Sequence, residues 1–280
     1  MNEAFSVIEP SDADESPVVV EVPHAGTALD QGTRAWFVAP DRAILKDADR
    51  YVDELYADAS GLGATVLVAH FSRYVVDLNR AETDVDGASV RGVEGPLRAT
   101  RGVVWRLSSE GHQVLRAPLA PEELERRLET IYRPYHEALY RLLRRKVSKF
   151  GVAVVLAAHS MPSVGTLVSG KPGAPRADVV PGTRGRTSAA AMFIDAVDAC
   201  ARNAGCSVAH DEPYRGGFTT AHYGRPRDGV HVVQVELSRR LYMNEDTLER
   251  GPGFSKTREL ARDFVQALTD AAWTKATRPG

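Results

Sequence analysis

Two histidines stand where apolar strands end, and both could bind a metal ion. His24 follows the run VVVEVP, and His159 follows VAVVLAA. Two imidazoles and one carboxylate, with a fourth position left for water, are a ligand set that catalytic zinc uses. The carboxylate candidates are Asp49 and, one helical turn later, Asp53. An isolated histidine is also commonly a hydrogen-bonded side chain without metal, so spacing leaves that alternative open.

Glu236 is a carboxylate inside the apolar run VVQVEL. An ionised group is costly to bury unless it is paired or functional. One interpretation is a salt bridge to Arg239 or Arg240. The other is a general base that takes a proton from an attacking water and returns it to a leaving amine.

Three arginines flank the same strand ends, namely Arg73, Arg80 and Arg239. The planar guanidinium suits bidentate binding of a carboxylate. Each alone could be a solvated surface residue, whereas together they predict a small anionic substrate.

The elements that must position these side chains alternate between strands and helices. Apolar or β-branched runs predict strands at 18–22, 64–69, 74–78, 152–158 and 230–237. Helical spacing predicts helices at 49–61, 121–150 (interrupted at Pro134), 187–203 and 254–275. The Gly-, Pro- and Ser-rich stretch 163–185 predicts a long loop near the site. This order predicts an α/β fold, a three-layer αβα sandwich with a mixed, mostly parallel sheet. Its ligand crevice lies at the carboxyl ends of the strands, where the residues above would meet.

Composition bounds the remaining possibilities. We expect a polar lead-in over residues 1–16 and a single catalytic domain over 17–280. A net charge of −2 without a long basic run argues against nucleic-acid binding. The chain has no stretch of ~18 apolar residues and no secretory pattern at residues 1–16, so we expect a cytoplasmic protein. Cys200 and Cys206 predict buried, unpaired thiols. The sequence leaves the oligomeric state open.

Longer motifs resemble one enzyme family over most of the chain. They are HAG at 24–26, Asp49 with DELY at 53–56, FSRYVVDLNR at 71–80, Tyr135-His136, AHSMP at 158–162, Pro213-Tyr214 with GGF at 216–218, HYG at 222–224, QVEL at 234–237 and LYM at 241–243. In this order they resemble the N-formylglutamate amidohydrolase (N-formylglutamate deformylase) family.

The resemblance implies a phosphorylase/hydrolase-like fold, similar to zinc carboxypeptidases and aspartoacylase. It implies hydrolysis of N-formyl-L-glutamate to formate and L-glutamate in histidine catabolism. The implied roles are one zinc or other divalent ion on His24, Asp49 and His159, catalysis by Glu236 with Arg73 at the oxyanion, and substrate binding by Arg73, Asn79, Arg80, Tyr214, His222 and Arg239. Asp49 is preferred to Asp53 because the earlier aspartate recurs in more distant relatives.

Two departures bear on the substrate. Ala221 stands where the resemblance leads us to expect arginine, and 98–111 lacks the Gly/Thr-rich pattern of glutamate-specific members. The alternatives are therefore a zinc deacylase for another N-acyl amino acid or a peptide-like amide, or a non-catalytic binding protein on the same fold.

Overall fold

The structure, a computed structural model, describes residues 3–93, 101–166 and 171–276. Its strands are β1 (Phe5–Ile8), β2 (Val18–Val22), β3 (Thr65–Ala69), β4 (Ala153–Met161), β5 (Val179–Gly182) and β6 (Val230–Ser238). Its α-helices are α1 (Gln31–Trp36), α2 (Asp41–Asp47), α3 (Val52–Leu55), α4 (Pro121–Arg127), α5 (Arg133–Phe150), α6 (Ala191–Asn203), α7 (Phe218–Tyr223) and α8 (Phe254–Ala276). A π-helical segment, Leu128–Tyr132, joins α4 to α5 and ends two residues before Pro134. Short 3₁₀ turns occupy Ala59–Leu62, Pro226–Asp228 and Arg239–Leu241.

The six strands form one mixed sheet in the order β1-β3-β2-β4-β6-β5. The four inner strands, β3, β2, β4 and β6, run parallel, while β1 and β5 pair antiparallel at the two edges. The expected mixed, mostly parallel sheet is confirmed. Because the inner strands are parallel, their carboxyl ends meet along one edge of the sheet.

Helices cover both faces of the sheet. Val18, Val20 and Val22 of β2 pack into the core that contains α6 and α8. Val19 and, on β4, Val155 pack into the opposite core, which contains α5. Alternate residues of a strand point to opposite faces, so the apolar runs fill both cores.

This alternation decides on which face the polar strand residues lie. Val155 and Ala157 of β4 point towards α5, so His159, two residues on, points to the same face. On β6, Val232 points there as well, and Gln234 and Glu236 follow it at intervals of two. His159 lies directly beside Glu236 in the parallel ladder. The polar residues therefore share one face at the sheet's carboxyl edge.

The segment 74–78 is a buried turn and not the strand that its composition predicted. Its carbonyl groups do not enter the sheet. The buried guanidinium of Arg127 donates to the carbonyl oxygens of Val75 at 2.9 Å and Tyr74 at 3.4 Å, while Asp77 N–H donates to Val103. Side-chain and loop partners thus satisfy backbone groups that we expected in a ladder.

Other elements also differ from the sequence predictions. The helix expected at 49–61 is divided into α3 and a 3₁₀ turn, and Asp49 precedes it. The loop expected at 163–185 contains β5, and its residues 167–170 lie outside the described residues. The lead-in at 1–16, of which residues 1–2 are likewise outside, contains edge strand β1. Helices α1, α2 and α7 were not predicted.

Among the residues that the structure describes, no helix has both the length and the apolar character needed to span a bilayer. Cys200 and Cys206 are both free thiols, partly buried rather than fully buried as expected. Burial raises the pKa of each thiol.

Candidate active site

A cavity of about 240 Å³ opens at the carboxyl edge of the sheet. It collects nearly all the residues singled out from the sequence. The lining includes His24, Asp49, Arg73, Asn79, Arg80, His159, Tyr214, Glu236 and Arg239. His222 is not in the lining: it is exposed on α7 and stacks on Phe218, with ring centroids 4.8 Å apart.

His24, Asp49 and His159 direct one donor atom each towards a common point. His24 Nδ1 lies 3.2 Å from His159 Nδ1, His159 Nδ1 lies 3.1 Å from Asp49 Oδ2, and His24 Nδ1 lies 3.7 Å from that oxygen. Ligands at 2.0–2.2 Å around tetrahedral zinc are about 3.3–3.5 Å apart. The donor set and its spacing therefore fit a zinc-sized divalent ion. Asp53, the competing aspartate, is exposed on α3.

The charges around Asp49 keep it ionised. Burial would raise the pKa of this carboxyl group, but the charge of Arg73 and the hydrogen bond from His159 hold it well below its usual range. Arg73 Nη2 donates to Asp49 Oδ1 at 3.0 Å. Burial would lower the pKa of His159, but the Asp49 hydrogen bond and the charge of Glu236 raise it. An ionised carboxylate is the form that binds a metal ion.

Asp77 orients His24 from behind, a role that the sequence analysis missed. Asp77 Oδ1 lies 2.8 Å from His24 Nε2, and its Oδ2 accepts from Trp105 Nε1 at 2.8 Å. Burial would raise the pKa of Asp77, but the charge and hydrogen bond of His24 hold it below its usual range. A metal-binding histidine usually donates its second ring N–H to such a carboxylate. His24 Nδ1 is thereby left to present its lone pair to the cavity.

Asn79 links the histidine pair to the base candidate. Its Nδ2 lies 3.3 Å from His159 Nε2 and donates to Gln234 Oε1 at 3.3 Å. Gln234 Nε2 in turn donates to Glu236 Oε1 at 2.9 Å. A Cβ at Gly217 would lie 2.4 Å from the Asn79 amide, so only glycine allows the loop to approach so closely.

Glu236 is buried, and burial raises the pKa of its carboxyl group. The salt bridge to Arg239 or Arg240 that the sequence left open is not formed. Arg239 contacts Asp49 instead, and Arg240 binds Asp178 at 2.8 Å on the surface. A buried carboxyl group beside a possible metal-binding cluster, without a cationic partner within 4 Å in the described part of the chain, is typical of a catalytic group.

Arg239 lines the cavity, and its guanidinium makes several hydrogen bonds within the protein. Its guanidinium donates to the carbonyl oxygens of Lys46 and Ala48 at 2.6 and 2.7 Å. It also contacts Ser160 Oγ and Asp49 Oδ1 at 3.3 and 3.5 Å. Each of its three nitrogens is engaged, so Arg239 holds the loop that carries Asp49.

Arg80 and Tyr214 remain accessible from the cavity. The closest carboxylate oxygen to Arg80 among its ion-pair partners is Asp84 Oδ2, at 4.0 Å, and nearly half of the Arg80 side chain, 46%, is exposed. The guanidinium carbon of Arg176 lies 5.3 Å from the centroid of the Tyr214 ring. Burial raises the pKa of the Tyr214 hydroxyl. Ala221, the departure noted in the sequence, is exposed on α7 and absent from the lining.

Among the residues of the cavity wall that the sequence analysis missed are Trp105 and Arg101. Both belong to 98–111, the stretch noted for its atypical pattern, of which residues 98–100 lie outside the described residues. For Asp77 a signal existed, since it is an acidic residue within the apolar run YVVDL. No comparable signal marked Trp105 or Arg101.

The profile of the N-formylglutamate amidohydrolase family matches residues 16–243. The chain belongs to this family. It is 36% identical to the N-formylglutamate deformylase of Pseudomonas aeruginosa over 265 residues, which cover 92% of this chain and 93% of that protein. It is also 36% identical to the N-formylglutamate deformylase of Pseudomonas putida over 235 residues, 82% of each chain.

Solved structures agree with membership of the N-formylglutamate amidohydrolase family. The crystal structure of N-formylglutamate amidohydrolase from Ralstonia eutropha JMP134 superposes with a TM-score of 0.86 at 29% identity, over 98% of this chain and 99% of that one. The Atu2144 product of Agrobacterium tumefaciens shares the fold with a TM-score of 0.67 at 20% identity, over 96% of each chain.

Proposed function

We propose that this amidohydrolase cleaves N-formyl-L-glutamate into formate and L-glutamate, with a divalent ion, zinc first, on His24, Asp49 and His159. The observation that carries the proposal is the meeting of these three donors with buried Glu236 in one cavity. The deformylase relatives, 36% identical over most of the chain, support the choice of substrate. The reaction would serve histidine catabolism in the cytoplasm.

The donor set fits a metal ion because two imidazole nitrogens and one carboxylate oxygen lie within 4.8 Å of one another and belong to buried residues. Zinc bound there would supply a water of lowered pKa and polarise the acyl carbonyl group. Asp77 would keep His24 oriented, and Arg239 would keep the Asp49 loop in place.

The remaining steps fall to this chain's own side chains. Glu236, whose pKa is raised by burial, would take a proton from the attacking water and deliver it to the departing amine nitrogen. Arg73 lies beside Asp49 and would donate a hydrogen bond to the acyl oxygen as negative charge develops there. Arg80 would bind a substrate carboxylate.

The test is a substrate panel on the purified protein, with formate and amine release measured. We expect the highest kcat/KM for N-formyl-L-glutamate and lower values for N-acetyl-L-glutamate and N-formyl-L-aspartate. A higher value for another acyl group or amino acid would support the wider deacylase alternative. Bound metal without hydrolysis of any of them would support the non-catalytic alternative.

A further inference from the structure

Arg101 is a cation in the cavity wall that the proposed mechanism leaves unused. It is partly buried, and its guanidinium carbon lies 5.0 Å from the centroid of the Trp105 ring. Among the residues that the structure describes, no carboxylate lies within 4 Å of it. By contrast, Arg73 is paired with Asp49, and Lys46 with Glu110.

The position of Arg101 is fixed by its surroundings. Trp105 is held by its hydrogen bond to Asp77 and by an edge-to-face contact with Tyr74 at 5.8 Å. Arg101 also forms a backbone bridge with Trp105. Between them, a Cβ at Gly102 would lie 2.0 Å from the carbonyl oxygen of Asp84, so the chain is packed closely there.

Like charges accumulate on this wall. Arg73 also contacts the Trp105 ring, with its guanidinium carbon 5.2 Å from the ring centroid. Burial lowers the pKa of Arg101. The charges of Arg73 and Arg80 lower it further, whereas Asp47 and Tyr214 act in the opposite direction. Asp47 itself is engaged by the hydroxyl of Tyr74 and by Ser109 N–H. Three guanidinium groups, those of Arg73, Arg80 and Arg101, therefore line this cavity together, and Asp47 is the acidic residue that offsets the charge of Arg101.

We infer that Arg101, supported on Trp105, binds the second carboxylate of a dicarboxylic substrate and makes the site selective for N-acyl dicarboxylic amino acids. A partly desolvated planar guanidinium suits a carboxylate better than an amide, because it offers paired donors and no acceptor. Arg80 would take the other carboxylate. This inference rests on the proposed function for its substrate, but it concerns binding and can be tested without turnover.

The test compares two probes that differ in one group, glutarate and its monoamide glutaramate. Their affinities are measured by calorimetry on the purified protein, on Arg101→Met and on the matched surface control Arg141→Met. Arg141 is exposed on α5, where it pairs with Glu137. We expect the wild type and Arg141→Met to prefer glutarate by about 10- to 100-fold, and Arg101→Met to bind both probes alike.

A preference for glutarate that persists in Arg101→Met would overturn the inference, even if both affinities fell, because a merely structural role lowers both equally. Equal binding of the two probes by the wild type would overturn it as well. The kcat/KM ratio of N-formyl-L-glutamate to N-formyl-L-glutamine should collapse in Arg101→Met alone. Absence of formate release from the wild type, with the glutarate preference intact, would refute the proposed function and not this inference.

Discussion

At the scale of single residues, the proposed chemistry depends on Glu236 more than on any other side chain. Its carboxyl group is buried, accepts a hydrogen bond from Gln234 and lies next to His159 in the sheet. The backbone of β6 therefore presents this carboxyl group beside the candidate metal-binding donors His24, Asp49 and His159. A site built on strands is held more precisely than one built on loops.

Replacing Glu236 by glutamine tests this role. The amide is isosteric and can still accept the Gln234 hydrogen bond, but it cannot take a proton. We expect kcat to fall by about 10²- to 10⁴-fold while bound metal stays at the wild-type level. The measurement is formate release together with metal analysis, and an unchanged kcat would contradict the role.

Asp77→Asn tests the orientation of His24. An amide has one acceptor oxygen and cannot accept from both His24 and Trp105. We expect metal affinity to fall by about 10- to 100-fold, as measured by competition with a chromophoric chelator. Asp53→Asn is the matched control on an exposed aspartate and should leave the affinity unchanged. Equal affinities in the two variants would show that Asp77 does not support His24.

The sequence predicted part of this site for a physical reason. His24, His159 and Glu236 stand out because each is a polar residue next to, or within, an apolar strand. Trp105 and Arg101 do not, because they lie in an irregular segment whose place depends on contacts with the turn around Asp77. The contacts of Arg239 were not predicted, because a sequence does not reveal that backbone carbonyl groups will accept hydrogen bonds from its guanidinium.

At the scale of secondary structure, the buried turn at 74–78 depends on α4. Arg127 is fully buried and supplies the donors that the turn's carbonyl groups need, while Glu123 balances its charge. Since Asn79 and Arg80 follow this turn directly, α4 helps to position two cavity-lining residues although none of its own residues lines the cavity.

Arg127→Met should therefore cost roughly 2–4 kcal/mol of unfolding free energy, because it leaves buried carbonyl groups without their donor and Glu123 without one of its two guanidinium partners. Its neighbour Arg126 is a matched control, with 38% of its side chain exposed and its ion pairs to Glu123 and Asp30 at the surface. Arg126→Met should cost about 1 kcal/mol or less. Urea unfolding measures both, and equal losses would contradict the role of Arg127.

The main strands and long helices were predictable because their patterns extend over enough residues. The β2, β4 and β6 runs and α8 match closely, since continuous apolar segments and helical spacing report burial directly. The six- and seven-residue helices α1, α2 and α7 are too short for such a pattern. The apolar run at 74–78 was wrongly predicted to be a strand, because a buried turn outside the sheet can have the same apolar composition as a buried strand.

At the scale of the whole molecule, the buried carboxyl group of Glu21 links stability to pH. Glu21 on β2 is fully buried and accepts hydrogen bonds from Tyr135 and Thr219 through one oxygen. Its other oxygen has no hydrogen-bond partner among the described residues. Burial raises the pKa of Glu21 above its ordinary value. Protonated Glu21 therefore contributes fully to the unfolding free energy at pH values below its ordinary pKa. That contribution is lost as the pH rises through the raised pKa of Glu21 in the folded protein.

Glu21→Gln removes this linkage, because glutamine resembles the protonated carboxyl group at every pH. The unfolding free energy of the variant should rise relative to the wild type by about 1.4 kcal/mol per pH unit between the ordinary and the raised pKa. Urea unfolding from pH 5 to pH 8 measures the difference, with Glu137→Gln on the exposed face of α5 as control. A difference that stays constant with pH, as expected for the control, would refute the prediction.

The convergence of His24, Asp49 and His159 from three distant parts of the chain is the claim on which the catalytic account depends. Metal content per folded chain tests it most directly, measured by mass spectrometry after exhaustive dialysis. The comparison is between the wild type, His159→Ala and the exposed-histidine control His222→Ala. We predict close to one divalent ion per chain in the wild type and in His222→Ala, and almost none in His159→Ala. A folded His159→Ala protein that retains a full equivalent of metal would contradict the account.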